Sequence, residues 1–387
     1  MVNGWGHPLM NLFDTGFYRV ILDEAQEIRN PSSKRYKGVM QISKVSLYRV
    51  ALTGTPFMNN PADIYSLLSF VGLQPWNDSD NFRTYITNPI RDRKRAGLAK
   101  LRAALTYVAL RRTKNAVKDL SLPRKTVELV PVQFPKGYHK DVHDFWFKRA
   151  KEAFENAEED ESAASAQDKF AMQIKLRQSC ASGSLVVPEE MKNPRFALSP
   201  KIFALMNVIH RLEVGEKVVV FSQWNSFLDL IADYLKNENH KFARIDGSKD
   251  RAARTDAVQA LDDDPNVRIM LCSLRAAGQG LNLLGANVVC MMDPWWNDAT
   301  EMQAVDRCHR LGQTRQVRVY RFVMKDSIEE RMVTNIQEAK AKLGKGALAH
   351  LTAEELKMAK IVTLKDLFGI NATKGVNEVD DEDVEWE

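Results

Sequence analysis

The sequence predicts an α/β fold built on parallel sheets, and three observations carry that prediction. Short apolar runs that end in polar residues recur: Val20–Leu22 before Asp23, Val50–Leu52 before Thr53, Val218–Phe221 before Ser222, and Ile269–Cys272 before Ser273. A strand buried on both faces reads as such a continuous run. Between the runs lie stretches of helical period, such as Phe227–Leu235 and the segment through Arg251, Arg254 and Val258. Strands alternating with helices argue for parallel pairing. The polar groups gather at the carboxyl ends of the runs, where open α/β sheets bind ligands.

Composition agrees. The chain has 387 residues, enough for two or three domains, with 44% hydrophobic and 27% charged residues, ordinary for a soluble globular protein. Net charge is +5, but residues 375–387 hold seven acids and no base, so residues 1–374 carry +12. A basic body with an acidic tail is compatible with a nucleic-acid partner. Cys180, Cys272, Cys290 and Cys308 form no CxxC pair. That argues against a structural zinc site and against a disulfide framework. No apolar run approaches the ~20 residues of a membrane helix. The start, MVNGWGHPLMNLFD, lacks the blocks of a secretory signal. An intracellular protein without a membrane partner is expected.

Taken in order, YRVILDEAQ at 18–26 is a strand ending in Asp23 and Glu24. Carboxylates there suit Mg²⁺, which prefers oxygen ligands and keeps much of its water, and suit polarising a water. An ordinary strand with a solvated acidic turn fits equally. VALTGTPFMNN at 50–60 runs from a strand into Thr53, Gly54 and Thr55. The hydroxyls and the glycine fit a loop that senses a ligand, and a plain strand-to-helix turn fits as well. LRRTK at 110–114 is basic, and Leu122-Pro123 marks a helix end. In AMQIKLRQSC at 171–180, the spacing of Met172, Ile174, Leu176 and Cys180 marks core packing. Residues 132–170 read as mainly helical. Residues 185–200, with three prolines, read as a hinge.

From Lys201 a helix leads to the strand at 217–221, a short strand follows at Arg244–Ile245, and another at Ile269–Cys272. Ser273–Asn282 then carries Gly278 and Gly280, glycines that admit close approach to a phosphate or ribose. VVCMMDPWWN at 288–297 is a strand followed by Trp295 and Trp296, suited alike to stacking on bases and to packing on their own domain. EMQAVDRCHRLGQ at 301–313 puts Arg307 and Arg310 three apart, a spacing that predicts one shared helical face. Two guanidiniums presented together suit a polyphosphate, although a solvated basic helix has the same pattern. Val317–Val323 is the last strand, and Ser327–Met332 opens a helix with its acids near the N-terminus. Thr363–Gly369 (TLKDLFG) is a short amphipathic element before the acidic tail, whose composition predicts disorder.

DEAQ at 23–26, LTGTP at 52–56 and QAVDRCHRLGQ at 303–313 occur in that order. They resemble motifs II, III and VI of the superfamily-two helicases, specifically the Swi/Snf-like DNA translocases. The likeness is nearest the helicase-like transcription factor and post-replication-repair branch, without the cysteine and histidine array of its RING domain. It covers roughly residues 15–370.

The resemblance implies RecA-like parallel-sheet motor lobes with helical insertions, the first lobe partial and the second complete. Residues 1–130 would be the C-terminal part of the first lobe and 131–199 a helical protrusion and linker. Residues 200–345 would be the second lobe, and 346–387 an extension with the acidic tail. It implies ATP and Mg²⁺, with the cation at Asp23 through water and Glu24 on the attacking water. Arg307 and Arg310 would be arginine fingers, and Gln303, Gly278 and Gly280 would face the nucleotide. Thr53, Gly54, Thr55, Ser273, Asn282 and Trp295 would couple nucleotide to DNA. Ala277 stands where the family usually has a second glycine in motif V. The implied partners are double-stranded DNA or nucleosomes and other repair or chromatin proteins, in the nucleus.

No G-x-x-x-x-G-K-[ST] loop occurs; Leu343–Gly346 (LGKG) lacks the Ser or Thr. In the family that loop lies upstream of DEAQ, and Met1 is only 22 residues before Asp23. The chain is therefore expected to start inside the first lobe and to expose an apolar sheet edge and face. It is also expected to hydrolyse ATP poorly alone, because phosphoryl transfer rests on positioning and electrostatics. The alternative is a non-catalytic DNA- or partner-binding remnant of such a motor. An RNA helicase fits less well, since LRRTK and DPWWN resemble the duplex-DNA branch.

Overall fold

A computed structural model describes residues 15–54, 63–92, 94–110, 122–155, 163–191, 198–277, 280–295 and 298–334. Its described strands form two parallel sheets.

The first sheet pairs β1 (Arg19–Leu22) with β2 (Tyr48–Ala51), with Ile21 opposite Val50. Helix α1 (Lys34–Ser43) makes the crossover and starts where Ser33 Oγ accepts the Tyr36 N–H, satisfying one of the first-turn donors. Helix α2 (Asp63–Val71) buries Leu67 and Phe70 with Ala25 and Ile28, against Val20, Leu22 and Ala51. A second small cluster joins Ile64 and Leu68 of α2 to Leu101 and Ala104 of α3 (Arg95–Val108). Both strands alternate exposed and half-buried residues, where a run buried on both faces was expected. The reason is packing: helices cover the Val20 and Leu22 side, while Ile21 (56% exposed), Tyr48, Val50 and Leu52 face outward. The exposed apolar sheet face expected from the sequence is therefore present.

The second sheet has six strands in the order β3-β8-β7-β4-β6-β5. In chain order its elements are β3 (Lys125–Val132), α4 (Tyr138–Glu155), α5 (Ala163–Ala181), α6 (Pro200–His210), β4 (Val218–Ser222) and α7 (Asn225–Asn237). They continue with β5 (Phe242–Ile245), α8 (Arg251–Asp263), β6 (Ile269–Ser273), β7 (Val288–Met291), α9 (Asp298–Val305) and β8 (Val317–Met324). Strands β4, β6 and β7 are buried at every residue, as their unbroken apolar runs predict. On one face Val218, Val220 and Leu271 meet α6 and α7; on the other Val219, Phe221 and Met270 meet Leu261 of α8 and Val305 of α9. Helices α4 and α5 join the first of these cores through Val142, Trp146, Leu176 and Cys180. Burying roughly ten large aliphatic side chains at ~1.5–3 kcal/mol each is what holds this layer order.

Strand β3 pairs along its whole length with β8, so residues 125–132 belong to the six-stranded sheet. The sequence reading divides them between the first lobe and the helical segment. KTVELVPV is an edge strand with several exposed residues, so it lacks the continuous apolar run that marks its neighbours. All four cysteines are free and buried. No described helix is long and apolar enough to cross a membrane. Residues 111–114 of LRRTK, Leu343–Gly346, Thr363–Gly369 and the acidic tail lie outside the described residues.

Candidate functional site

The carboxyl end of β1 delivers Asp23 and Glu24. Glu24 adopts φ 50° and ψ 48°, the left-handed region. For a residue with a Cβ this costs about 1–3 kcal/mol and persists only where the surroundings fix it. They do so here. The Glu24 N–H donates to Asp23 Oδ1 at 2.9 Å, and the Ala25 N–H donates to the Leu52 carbonyl at 2.9 Å, tying the turn to the end of β2.

Both oxygens of the Glu24 carboxylate are held. Oε2 accepts from Gln26 Nε2 at 2.8 Å, and Gln26 Oε1 accepts from the Thr53 hydroxyl at 2.6 Å. Oε1 accepts from Gln303 Nε2 at 2.7 Å and from Arg307 Nη2 at 3.2 Å. One carboxylate thus links the turns after β1 and β2 to residues nearly 280 positions later in the sequence. The Arg307 side chain is mostly buried and Glu24 about one third exposed, so solvent weakens this pair and its hydrogen bonds fix geometry more than they add stability. Asp23 is exposed beside it.

The arginines are arranged differently from the sequence expectation. Helix α9 ends at Val305, so Arg307 and Arg310 do not share a helical face. The chain tightens into three-residue turns, with Arg307 N–H on the Ala304 carbonyl at 3.1 Å and Cys308 N–H on the Val305 carbonyl at 3.0 Å. Arg307 reaches Glu24, while Arg310 lies three residues further round the bend, exposed. Gln303 sits on α9 itself.

The remaining expected residues divide. Thr53 joins the Glu24 cluster through Gln26. Gly54 is exposed, and a Cβ there would meet nothing within 4 Å. Ser273 is buried at the end of β6, where its Oγ accepts the Ala276 N–H at 3.3 Å; it caps a helical turn over Leu274–Ala277. Gly280 has φ +74°, which an L side chain rarely adopts, and Asn282 is exposed. Both line a groove of about 740 Å³ with Lys249, Arg251 and Arg254 at the start of α8. Thr55 and Gly278 lie outside the described residues.

Trp295 is half-buried, with the Arg177 guanidinium 5.4 Å from its ring centroid. Its backbone N–H donates to Glu301 Oε1 at 2.6 Å, and Glu301, fully buried, pairs with Arg321 at 2.7 Å. Beside the groove, Asp246 accepts from Arg244 Nε at 2.8 Å and from the Ser248 N–H at 2.9 Å. Burial raises the Asp246 carboxyl, but its hydrogen bonds from Ser248 and Arg244 outweigh that and hold it below the usual carboxylate range. Among the described residues no group of three or more His, Cys, Asp or Glu is placed to hold a metal ion.

Sequence reasoning missed Gln26, Arg177 and Glu301. The signal for Arg177 was legible: a cation within an apolar helical period is either a surface interruption or a buried, partnered charge. For Gln26 and Glu301 the sequence carries no comparable mark, since their roles depend on partners distant in the chain.

Two family models match successive parts of the chain, and the first extends over β3, α4 and α5. The SNF2-related domain model matches residues 8–185 and the helicase conserved C-terminal domain model residues 200–312. DNA repair protein RAD5 of Gibberella zeae is 31% identical, aligned over 92% of this chain and 43% of its own. DNA repair protein RAD5A of Arabidopsis thaliana is 27% identical, over 92% and 45%. An uncharacterised ATP-dependent helicase of Mycoplasma genitalium is 34% identical, over 86% and 31%. The chain spans less than half the length of these relatives. Among solved structures, a Sulfolobus solfataricus SWI2/SNF2 ATPase core in complex with dsDNA aligns with 90% of this chain and 74% of that one, at 26% identity and a TM-score of 0.48.

Proposed function

We propose a function for a chain that belongs to the SNF2-related, helicase-like family: it carries part of an ATP-dependent double-stranded-DNA translocase of DNA repair or chromatin remodelling, acting in the nucleus where the organism has one. The observation that carries this reading is the shared grip on Glu24, whose one oxygen receives both Gln303 and Arg307. Two motifs far apart in sequence meet at this carboxylate, and a third reaches it through Gln26, at the strand end where α/β sheets bind ligands.

The residues present fit Mg²⁺ with ATP. Asp23 is an exposed oxygen donor at the strand end, and without a clustered set of carboxylates the cation would keep much of its water, as Mg²⁺ favours. When bound, the ion supplies charge neutralisation at the phosphates. Glu24, its carboxylate oriented by Gln26, is the group to accept a proton from an attacking water. Arg307 meets charge developing on the transferred phosphoryl group, and exposed Arg310 stands ready to join it when nucleotide is present. In this reading Thr53, Gln26 and Gln303 register the nucleotide, and Lys249, Arg251 and Arg254 contact duplex phosphates. The RecA-like division into a partial first and a complete second lobe is part of the same proposal.

A second reading has its own observation. The 387 residues contain no G-x-x-x-x-G-K-[ST] loop, so the β- and γ-phosphates lack that cradle in this chain. The alternative reading for this stretch taken by itself is a DNA- or partner-binding protein that keeps the scaffold without turnover. Two measurements on the chain test both. Duplex affinity is expected to fall about 100-fold between 50 and 200 mM salt if four phosphates are contacted; a flat response sinks the DNA reading. ATP turnover is expected to be at background with or without duplex. Turnover that rises with duplex and is abolished by Glu24→Gln and by Arg307→Ala would show a complete engine and overturn the expectation of poor hydrolysis.

A further inference from the structure

Arg177 lies inside α5, 6% exposed, among side chains that otherwise pack the core. Its guanidinium lies over two indoles, 5.7 Å from the Trp224 ring centroid and 5.4 Å from that of Trp295. Nη2 donates to Gln223 Oε1 and to the Pro294 carbonyl, each at 3.0 Å. A planar fork that stacks and donates at once is what arginine offers and lysine does not. The clamp therefore grips both the turn after β4 and the loop after β7.

That loop leads directly into the Glu24 cluster. The Trp295 backbone N–H is held by buried Glu301 on α9, and two residues further along the same helix Gln303 donates to Glu24. Arg307 follows in the turn that ends α9. Around the guanidinium, Gln223 Nε2, Trp224 Nε1 and Asp293 Oδ1 are buried without a hydrogen-bond partner among the described residues.

We propose that Arg177 is a positioning residue: by clamping Trp295 and the Pro294 carbonyl it sets the placement of α9, and with it the grip of Gln303 and Arg307 on Glu24. Duplex contact at Trp295 then loosens or tightens that grip through one physically continuous set of contacts. The DNA half of this statement rests on the function proposed above; the positioning half does not.

The test uses the full chain labelled with 5-fluorotryptophan, its Trp295 signal assigned with Trp295→Phe, together with amide hydrogen exchange. In Arg177→Met, exchange across 298–309 is expected to quicken at least tenfold and the Trp295 fluorine signal to move. Exchange in β4 and β6 rises far less, the melting temperature falls modestly because Gln223 Oε1 and the Pro294 carbonyl lose their donor, and Arg177→Lys, which can keep one hydrogen bond, recovers part of the protection. Unchanged exchange across 298–309 overturns the proposal. So does an equal rise in β4 and β6, since that describes a core residue only. Adding a 20-base-pair duplex at low salt is expected to shift the Trp295 signal and change exchange across 298–309 in the wild type, but not in Arg177→Met. A duplex that binds without either change removes the coupling. If the wild type does not bind duplex at all, the proposed function falls, while the exchange contrast in the free protein still decides the role of Arg177.

Discussion

His143 shows how a single buried side chain sets a pH limit. It is 2% exposed, packed between the Phe134 ring at 4.7 Å and the Phe147 ring at 6.1 Å. Burial pushes its pKa down to about 4; Asp144 pulls it up, while Lys140 on the same helix and Arg331 from the segment over 328–334 push it down. The folded value lies below the unfolded value of 6.5, so the unfolded chain binds the proton more readily. The contribution is fully present above pH 6.5 and is lost as pH falls towards 4. At pH 5 that loss is about 2 kcal/mol. In urea unfolding at pH 7.5 and pH 5, wild type should lose about 2 kcal/mol more than His143→Leu; equal losses would refute the assignment. Residue by residue, the sequence was most legible where chemistry is local. Asp23, Glu24 and Thr53 stand at strand ends as read. Arg307 and Arg310 were misplaced because three-residue spacing implies one face only while the helix lasts, and residue spacing does not reveal that α9 stops at Val305.

At the scale of elements, burial rather than sequence type separates the strands that were read correctly from those read too generously. β4, β6 and β7 are unbroken apolar runs and are buried throughout. β1 and β2 have similar runs, yet lie half-exposed, because coverage depends on which elements pack above them. β3 carries glutamate, lysine and proline and gave no strand signal, although β8 pairs with all of it. Helix α8 offers a direct test of local physics. Asp250 accepts the Ala253 N–H at 2.8 Å and caps the turn that presents Arg251 and Arg254 to the groove they share with Asp262 and Asp263. Asp250→Ala should lower stability by about 1 kcal/mol. It should speed amide exchange at 251–254 and weaken duplex binding, with Asp250→Asn close to wild type in all three. An alanine variant with unchanged exchange would show that the cap does not order this turn.

For the whole molecule, the candidate site exists only because the two sheets meet at Glu24, a contact between residues 24, 303 and 307 that neither sequence half encodes alone. The order of the motifs marked which stretches to compare; the meeting itself, its bonds and the Arg177 clamp behind it needed the fold. The same view exposes a liability. The outward face of the two-stranded sheet sets Ile21 opposite Val50, with Tyr48, Leu47 and Leu52 beside them, all exposed. Contiguous apolar surface on a short open sheet promotes association between copies. Sedimentation velocity should therefore show the protein self-associating as concentration rises, with an apolar dye binding the free form. The paired change Ile21→Lys with Val50→Glu places opposite charges at partnered positions of the parallel ladder, which avoids the repulsion two like charges would bring. It should restore a monomer and abolish dye binding, with the melting temperature held. A wild type that stays monomeric throughout the concentration range would show that this face is shielded and that its exposed side chains do not drive association.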